Sequence, residues 1–165
     1  VSELVNGQPF VLAGHSAGGT IAHAVALRLE EIGIQAAGLV LLDTYEIGSA
    51  EVDGIQSVLL KELGERGEKF GGFTDVRLTA TAGYYSILAD WQSKQPASPT
   101  LFVGASELLR GGENEGAVLP TWSLAHERVD VPGDHFTMMS EHAEATASAV
   151  DKWIANVSPQ NREHA

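Results

Sequence analysis

The feature that most constrains this chain is a junction. Pro9-Phe-Val-Leu-Ala-Gly14 is a short apolar run that stops at glycine, and an amphipathic pattern starts within three residues of it. A continuous apolar run of this length reads as a buried strand. From about Ala17 to Ile32 the apolar residues Ile21, Ala24, Val25, Leu29 and Ile32 recur at helical steps. Arg28, Glu30 and Glu31 lie off that stripe, and Gly33 supplies a C-terminal stop. Gly38-Leu-Val-Leu-Leu-Asp43 is a second apolar run. Strand, helix and strand in this order predict a parallel pair joined by a right-handed crossover, and with it an α/β fold.

The remaining elements extend the same plan. Thr100-Leu-Phe-Val-Gly104 reads as a third strand, and His126-Glu-Arg-Val-Asp-Val131 as a fourth that ends at Pro132-Gly133. A final helix is expected from about Glu141 to Ala155, with Ser140 as N-cap and Ala143, Ala147, Val150 and Ile154 as its apolar stripe. Between Thr44 and Gln95 two weaker helical segments, Val52 to Leu63 and Val76 to Trp91, flank the glycine-rich stretch from Gly67 to Gly72. An insertion that long between neighbouring strands usually covers or shapes a site. The tail after Val157 reads as frayed.

Composition removes several classes of function. With 165 residues, 44% of them hydrophobic and 19% charged, the chain can bury a core as one domain without disulfide staples. Ten Lys plus Arg against 22 Asp plus Glu leave a net charge of −12, which repels phosphate backbones and anionic lipid. Neither nucleic acid nor membrane is therefore expected as a partner. No apolar run approaches the roughly 20 residues of a spanning helix, and no signal peptide is recognisable. The absence of cysteine excludes thiol catalysis and Cys-ligated zinc and fits a cytoplasmic setting. No H-E-x-x-H pair occurs, so no metal is expected. A start at Val1 rather than Met suggests a piece of something longer.

The chemistry-bearing pattern is Gly14-His15-Ser16-Ala17-Gly18, which falls where the first strand meets the first helix. Glycines on either side permit a sharp strand-to-helix turn that lifts a serine hydroxyl clear of the sheet at a helix N-terminus. Ser16 is thus the expected nucleophile, and the Ala17 N–H an oxyanion donor. A serine nucleophile needs a base, and the base needs an orienting carboxylate. Asp43 closes the second strand at the edge where parallel-sheet active sites lie. His135 follows the turn Val131-Pro-Gly-Asp-His135 after the last strand. The chain order Ser16, Asp43, His135 is that of an α/β-hydrolase. Glu107 competes for the acid role because it also follows a strand. Asp134 is expected to hold its turn, and His15 to pack or hydrogen-bond locally. His23, His126, His142 and His164 read as surface or structural histidines. Tyr84, Tyr85 and Trp91 would line a substrate channel or a packed helix face.

Four blocks carry a family resemblance: Gly14-His-Ser-Ala-Gly-Gly19; Leu41-Leu-Asp-Thr-Tyr45; Arg77-Leu-Thr-Ala through Gly83-Tyr84 to Trp91; and Val131-Pro-Gly-Asp-His-Phe-Thr-Met-Met139. Together they resemble the thioesterase domain that ends a modular type I polyketide synthase, over nearly the whole chain from Pro9 to about Ile154. The resemblance implies a partial α/β-hydrolase fold, a mostly parallel sheet flanked by helices, with residues 44 to 95 as a helical lid. It implies Asp43 rather than Glu107 as the acid, and Tyr45 near the acyl chain. The substrate it implies is a polyketide acyl chain, delivered as a thioester on the phosphopantetheine arm of an acyl carrier protein domain, with no cofactor held by the chain itself. Release would give a linear acid or a macrolactone. The acidic residues Glu46, Glu51 and Asp53 at the start of the insertion, expected to be easily hydrated, lean towards the acid. Members of that family carry a segment before the nucleophile strand that holds earlier strands, a second oxyanion donor and dimerisation helices. On that comparison residues 1 to 165 are the C-terminal portion of a thioesterase domain, homodimeric through the preceding segment and poorly soluble without it. A nonribosomal-peptide or stand-alone editing thioesterase, and a noncatalytic α/β-hydrolase-like interaction module, are the alternative readings.

Overall fold

The computed structural model describes residues 5–46, 75–76, 79–80, 83–84, 92–108 and 119–157. Among these, four strands form one parallel sheet, β1 (Val11–His15), β2 (Gly38–Leu42), β3 (Thr100–Ala105) and β4 (Glu127–Val131), adjacent in chain order. Helix α1 (Ala17–Glu31) connects β1 to β2, a 3-10 turn covers Thr137–Met139, and α2 (Ala143–Val157) follows. All four expected strands and both helices are present. Of the expected lid, residues 75–76, 79–80 and 83–84 are helical, and the rest of 47–91 lies outside the described residues. No described helix is long and apolar enough to cross a membrane.

The central strands are apolar at nearly every position because both faces of the sheet are covered. Leu39, Leu41 and Phe102 face one way and pack with Ala22 of α1 and with Trp122. Val40, Leu101 and Val103 face the other way, against Met138 and the Trp153 and Val157 of α2. This alternation within continuous apolar runs places one helix on each face.

Two helix faces differ from the expected stripes. Helix α1 buries Gly19, Thr20, Ala22, His23, Ala26 and Leu29, while Ile21 is 40% and Ile32 55% exposed. The reason is close approach: a Cβ on Gly19 would collide with the Thr44 side chain, so small residues face the sheet. In α2, Ala143 and Ala147 are exposed, and Thr146, Trp153 and Val157 are buried beside the half-buried Val150 and Ile154. Trp153 sets this rotation. Its ring occupies space left by the missing side chain of Gly38, where a Cβ would come within 2.7 Å of Cη2, and its Nε1–H donates to Glu127 at 3.0 Å. Ser140 is not the cap of α2; it ends the 3-10 turn, and its hydroxyl donates to the Phe136 carbonyl at 3.3 Å. Gly33 does stop α1, at φ 77°, with Gly33 N–H donating to Glu30 O and Ile34 N–H to Leu29 O.

Candidate active site

Ser16 stands alone between the end of β1 and the start of α1, at φ 55° and ψ −131°. A side chain is strained in this conformation, which persists only where the surroundings enforce it. Here Ser16 N–H donates to Leu42 O and Gly19 N–H to Ser16 O, both at 2.9 Å. A Cβ on Gly14 would strike the carbonyl of Gly18, so the strand can pass under the helix only as glycine. A Cβ on Gly18 would meet no atom within 4 Å, so the second steric requirement falls on Gly19 rather than on the last glycine of the motif. Ala17 opens α1, and its N–H is among those a helix leaves without an intrahelical acceptor.

Asp43 follows β2 directly, at φ 41°, with its N–H donating to Val103 O. Its carboxylate is divided between two donors. Oδ1 accepts from the Ala105 N–H at 2.8 Å and Oδ2 from His135 Nδ1 at 2.8 Å, with both side chains at most 2% exposed. An imidazole whose Nδ1 donates to a carboxylate keeps its Nε2 lone pair for another proton, which is the arrangement a general base requires. Glu107, the competitor for this place, is exposed, with its backbone tied to Gly133. Asp134 holds its turn, accepting from the Phe136 and Thr137 N–H groups and the Thr137 hydroxyl. Ser16 Oγ makes no hydrogen bond to a described residue, so Ser16 and the Asp43–His135 pair meet at one sheet edge without being joined.

The His135 ring is enclosed on other sides. Phe136 meets it edge-on at 5.0 Å and Tyr45 lies 5.8 Å away. Burial, with the Asp43 carboxylate adding to it, raises the Tyr45 phenol far above its usual range, so this tyrosine is a neutral hydroxyl. Tyr84 is 56% exposed, and Tyr85 and Trp91 lie outside the described residues. Glu46 is not simply hydrated as expected: it accepts from the Ser93 hydroxyl and from both the N–H and hydroxyl of Ser123. Burial would raise its carboxyl, but these bonds outweigh that and hold it below the ordinary value. Glu51 and Asp53 lie outside the described residues. His23 is a fully buried structural residue that donates to Lys94 O at 2.9 Å, and His126 bonds Leu124 O.

A strained serine at a strand-to-helix turn, beside a buried carboxylate–imidazole pair, is the local architecture of an α/β-hydrolase. Residues 2–154 match the family model described as "Thioesterase domain". The chain belongs to the thioesterase domain family. Among curated relatives, this thioesterase chain is 42% identical over 160 residues to polyketide synthase GfsE of Streptomyces halstedii, covering 96% of the chain and 4% of that protein. It is 38% identical over 149 residues to an erythronolide synthase of Saccharopolyspora erythraea, covering 89% and 5%. The thioesterase chain thus spans a small fraction of the curated relatives it matches. Solved thioesterase domains share the fold. The surfactin-cyclising domain superposes with a TM-score of 0.64 at 17% identity, covering 93% of this chain and 70% of that one. Human thioesterase 2 gives 0.59 at 17% identity, covering 94% and 75%.

Proposed function

We propose that this chain releases a polyketide from the synthase that made it. The observation that carries the reading is the buried Asp43–His135 pair at the sheet edge where the Ser16 elbow lies. Ser16 Oγ attacks the carbonyl of an acyl thioester carried on the phosphopantetheine arm of an acyl carrier domain, and His135 Nε2 takes the hydroxyl proton. Asp43 fixes the imidazole tautomer and stabilises the cation that forms. The Ala17 N–H stabilises the oxyanion. Collapse breaks the carbon–sulfur bond, and His135 returns the proton to the departing thiolate. The acyl group on Ser16 then passes to water, giving a linear acid, or to a hydroxyl of the same chain, giving a macrolactone. No cofactor held by the chain enters these steps. Tyr45, Tyr84 and Tyr85 are the residues proposed to contact the acyl chain, and a homodimer is the proposed assembly.

Identities of 38–42% to polyketide synthases over most of the chain support a polyketide donor over a peptidyl one, since a solved nonribosomal peptide synthetase and the lipopeptide-cyclising domain match it at 19% and 17% identity. A fluorophosphonate probe tests the enzyme reading: one adduct is expected on Ser16 and none on Ser16→Ala. No adduct on the unmutated chain would leave an interaction module as the better account, and equal labelling of both would place the reactive group elsewhere than Ser16. The acyl carrier thioester, or its N-acetylcysteamine mimic, then identifies the outcome by mass. A product lighter than the free acid by one water reports cyclisation.

A further inference from the structure

His15, the residue before the proposed nucleophile, sits against His135 across 120 positions of sequence. Its Nε2 lies 2.8 Å from the His135 carbonyl oxygen, and the two rings are in tilted contact, 4.5 Å between centroids with 31° between planes. We infer that His15 is a positioning residue, which ties the backbone of the general base to the nucleophile elbow and supports its ring. The inference rests on the roles proposed above for Ser16 and His135.

Three observations carry it. A carbonyl oxygen only accepts, so Nε2 of His15 must hold the proton, and one donor thereby joins the last residue of β1 to the loop after β4. These elements are otherwise at opposite sides of the sheet, separated by β2 and β3. The second is the contact at the ring: Asp43 bonds its Nδ1 edge, and the His15 ring lies in tilted contact with it, a second restraint besides the carboxylate. The third is charge. Burial, reinforced by the neighbouring His135, lowers the His15 pKa below 6.5, against weaker opposing effects of the His135 backbone and Asp43. Asp43 and the neutral Tyr45 are the titratable groups facing these two histidines among the described residues. A neutral His15 does not oppose the imidazolium that His135 becomes during acylation.

The hydrogen bond and the ring can be separated in the full chain. His15→Phe keeps an aromatic face and removes the donor. His15→Gln keeps an N–H of similar reach and removes the ring. For hydrolysis of an acyl N-acetylcysteamine thioester, His15→Phe is expected to lower kcat on the order of 10²-fold, the scale of a small misplacement of reacting groups, with KM little changed. His15→Gln should recover at least about tenfold of that. A His15→Phe enzyme with kcat near wild type, an unrescued His15→Gln, or a loss confined to KM would overturn the inference. Nitrogen-15 NMR of the unmutated protein provides a measurement that does not depend on variant folding: His15 must be neutral and protonated at Nε2 at pH 7, and the other tautomer or a cation would sink the idea. Ser16→Ala is assayed alongside. If it is inactive while His15→Phe is unaffected, only the positioning role fails; if it remains active, the serine mechanism fails, and the positioning role with it.

Discussion

At position 43, changing one oxygen for a nitrogen decides which imidazole nitrogen of His135 carries the proton. In Asp43→Asn the Ala105 N–H would retain the amide oxygen as its acceptor, turning the amide NH₂ towards His135 Nδ1. Nδ1 must then accept, and the proton moves to the nitrogen that should act as base. The expected loss in thioester turnover is on the order of 10⁴, by analogy with the same exchange in serine proteases. Glu107→Gln, at an exposed site, should cost less than about threefold; kinetics with the two effects reversed would refute the assignment of Asp43. Ser16 supports a separate prediction about stability. Its φ of 55° and ψ of −131° suit glycine, and such strain typically costs about 1–3 kcal/mol. Ser16→Gly should therefore melt several degrees above Ser16→Ala, while both lack the adduct; equal melting temperatures would show that the elbow is not strained.

Between elements, the glycines of the elbow and the sheet divide into those that hold space and those that do not. Gly14 admits the crossing of β1 under α1, and Gly19 the approach of α1 to Thr44 after β2, so alanine at either should unfold or severely destabilise the chain. Gly18 is helical and has open space, and Gly18→Ala should raise stability by up to about 1 kcal/mol through helix propensity and a less flexible unfolded chain. Urea titrations of the three variants check this, and a destabilised Gly18→Ala would mean that another group approaches there. On the opposite face, Trp153 is 5% exposed and joins β2 to α2 through its contact with Gly38. Trp153→Ala should cost about 3–5 kcal/mol, read from the same titrations.

For the whole molecule, the groups with displaced protonation set the response to acid. His15 and His23 both have native pKa values lowered from 6.5, chiefly by burial. Below pH 6.5 the unfolded chain binds protons that the native state refuses, so stability falls from there as pH drops towards the lowered native values. Glu46 is depressed below 4.5, so its contribution is present above that pH and lost as pH falls through its native value. Denaturation midpoints should be level above about pH 7 and decline in two stages, the first starting near 6.5 and the second below 4.5. A midpoint constant down to 4.5 would show that the two histidines titrate normally.

Local features of this molecule were legible in its residues alone. Continuous apolar runs specify strands buried on both faces whichever neighbours cover them, and the elbow motif places Ser16 at a turn because glycines are the residues that permit one. The elbow motif, the end of the second apolar run and the turn after the last strand mark Ser16, Asp43 and His135, in the chain order of an α/β-hydrolase. Whatever depended on how closely two elements approach was settled by tertiary packing. Hydrophobicity favours Ile21 and Ile32 as the inward residues of α1, but the distance to Thr44 admits only the small face around Gly19 and Ala22. The hydrogen bond between Asp43 and His135, with Glu107 left exposed, likewise depends on where the loop after β4 returns. The contact between His15 and His135 has no counterpart in periodicity or spacing. It exists because parallel strands end on the same side, which brings residues 120 positions apart to one C-terminal rim, where the side chain that ends β1 can bond the backbone of the loop after β4.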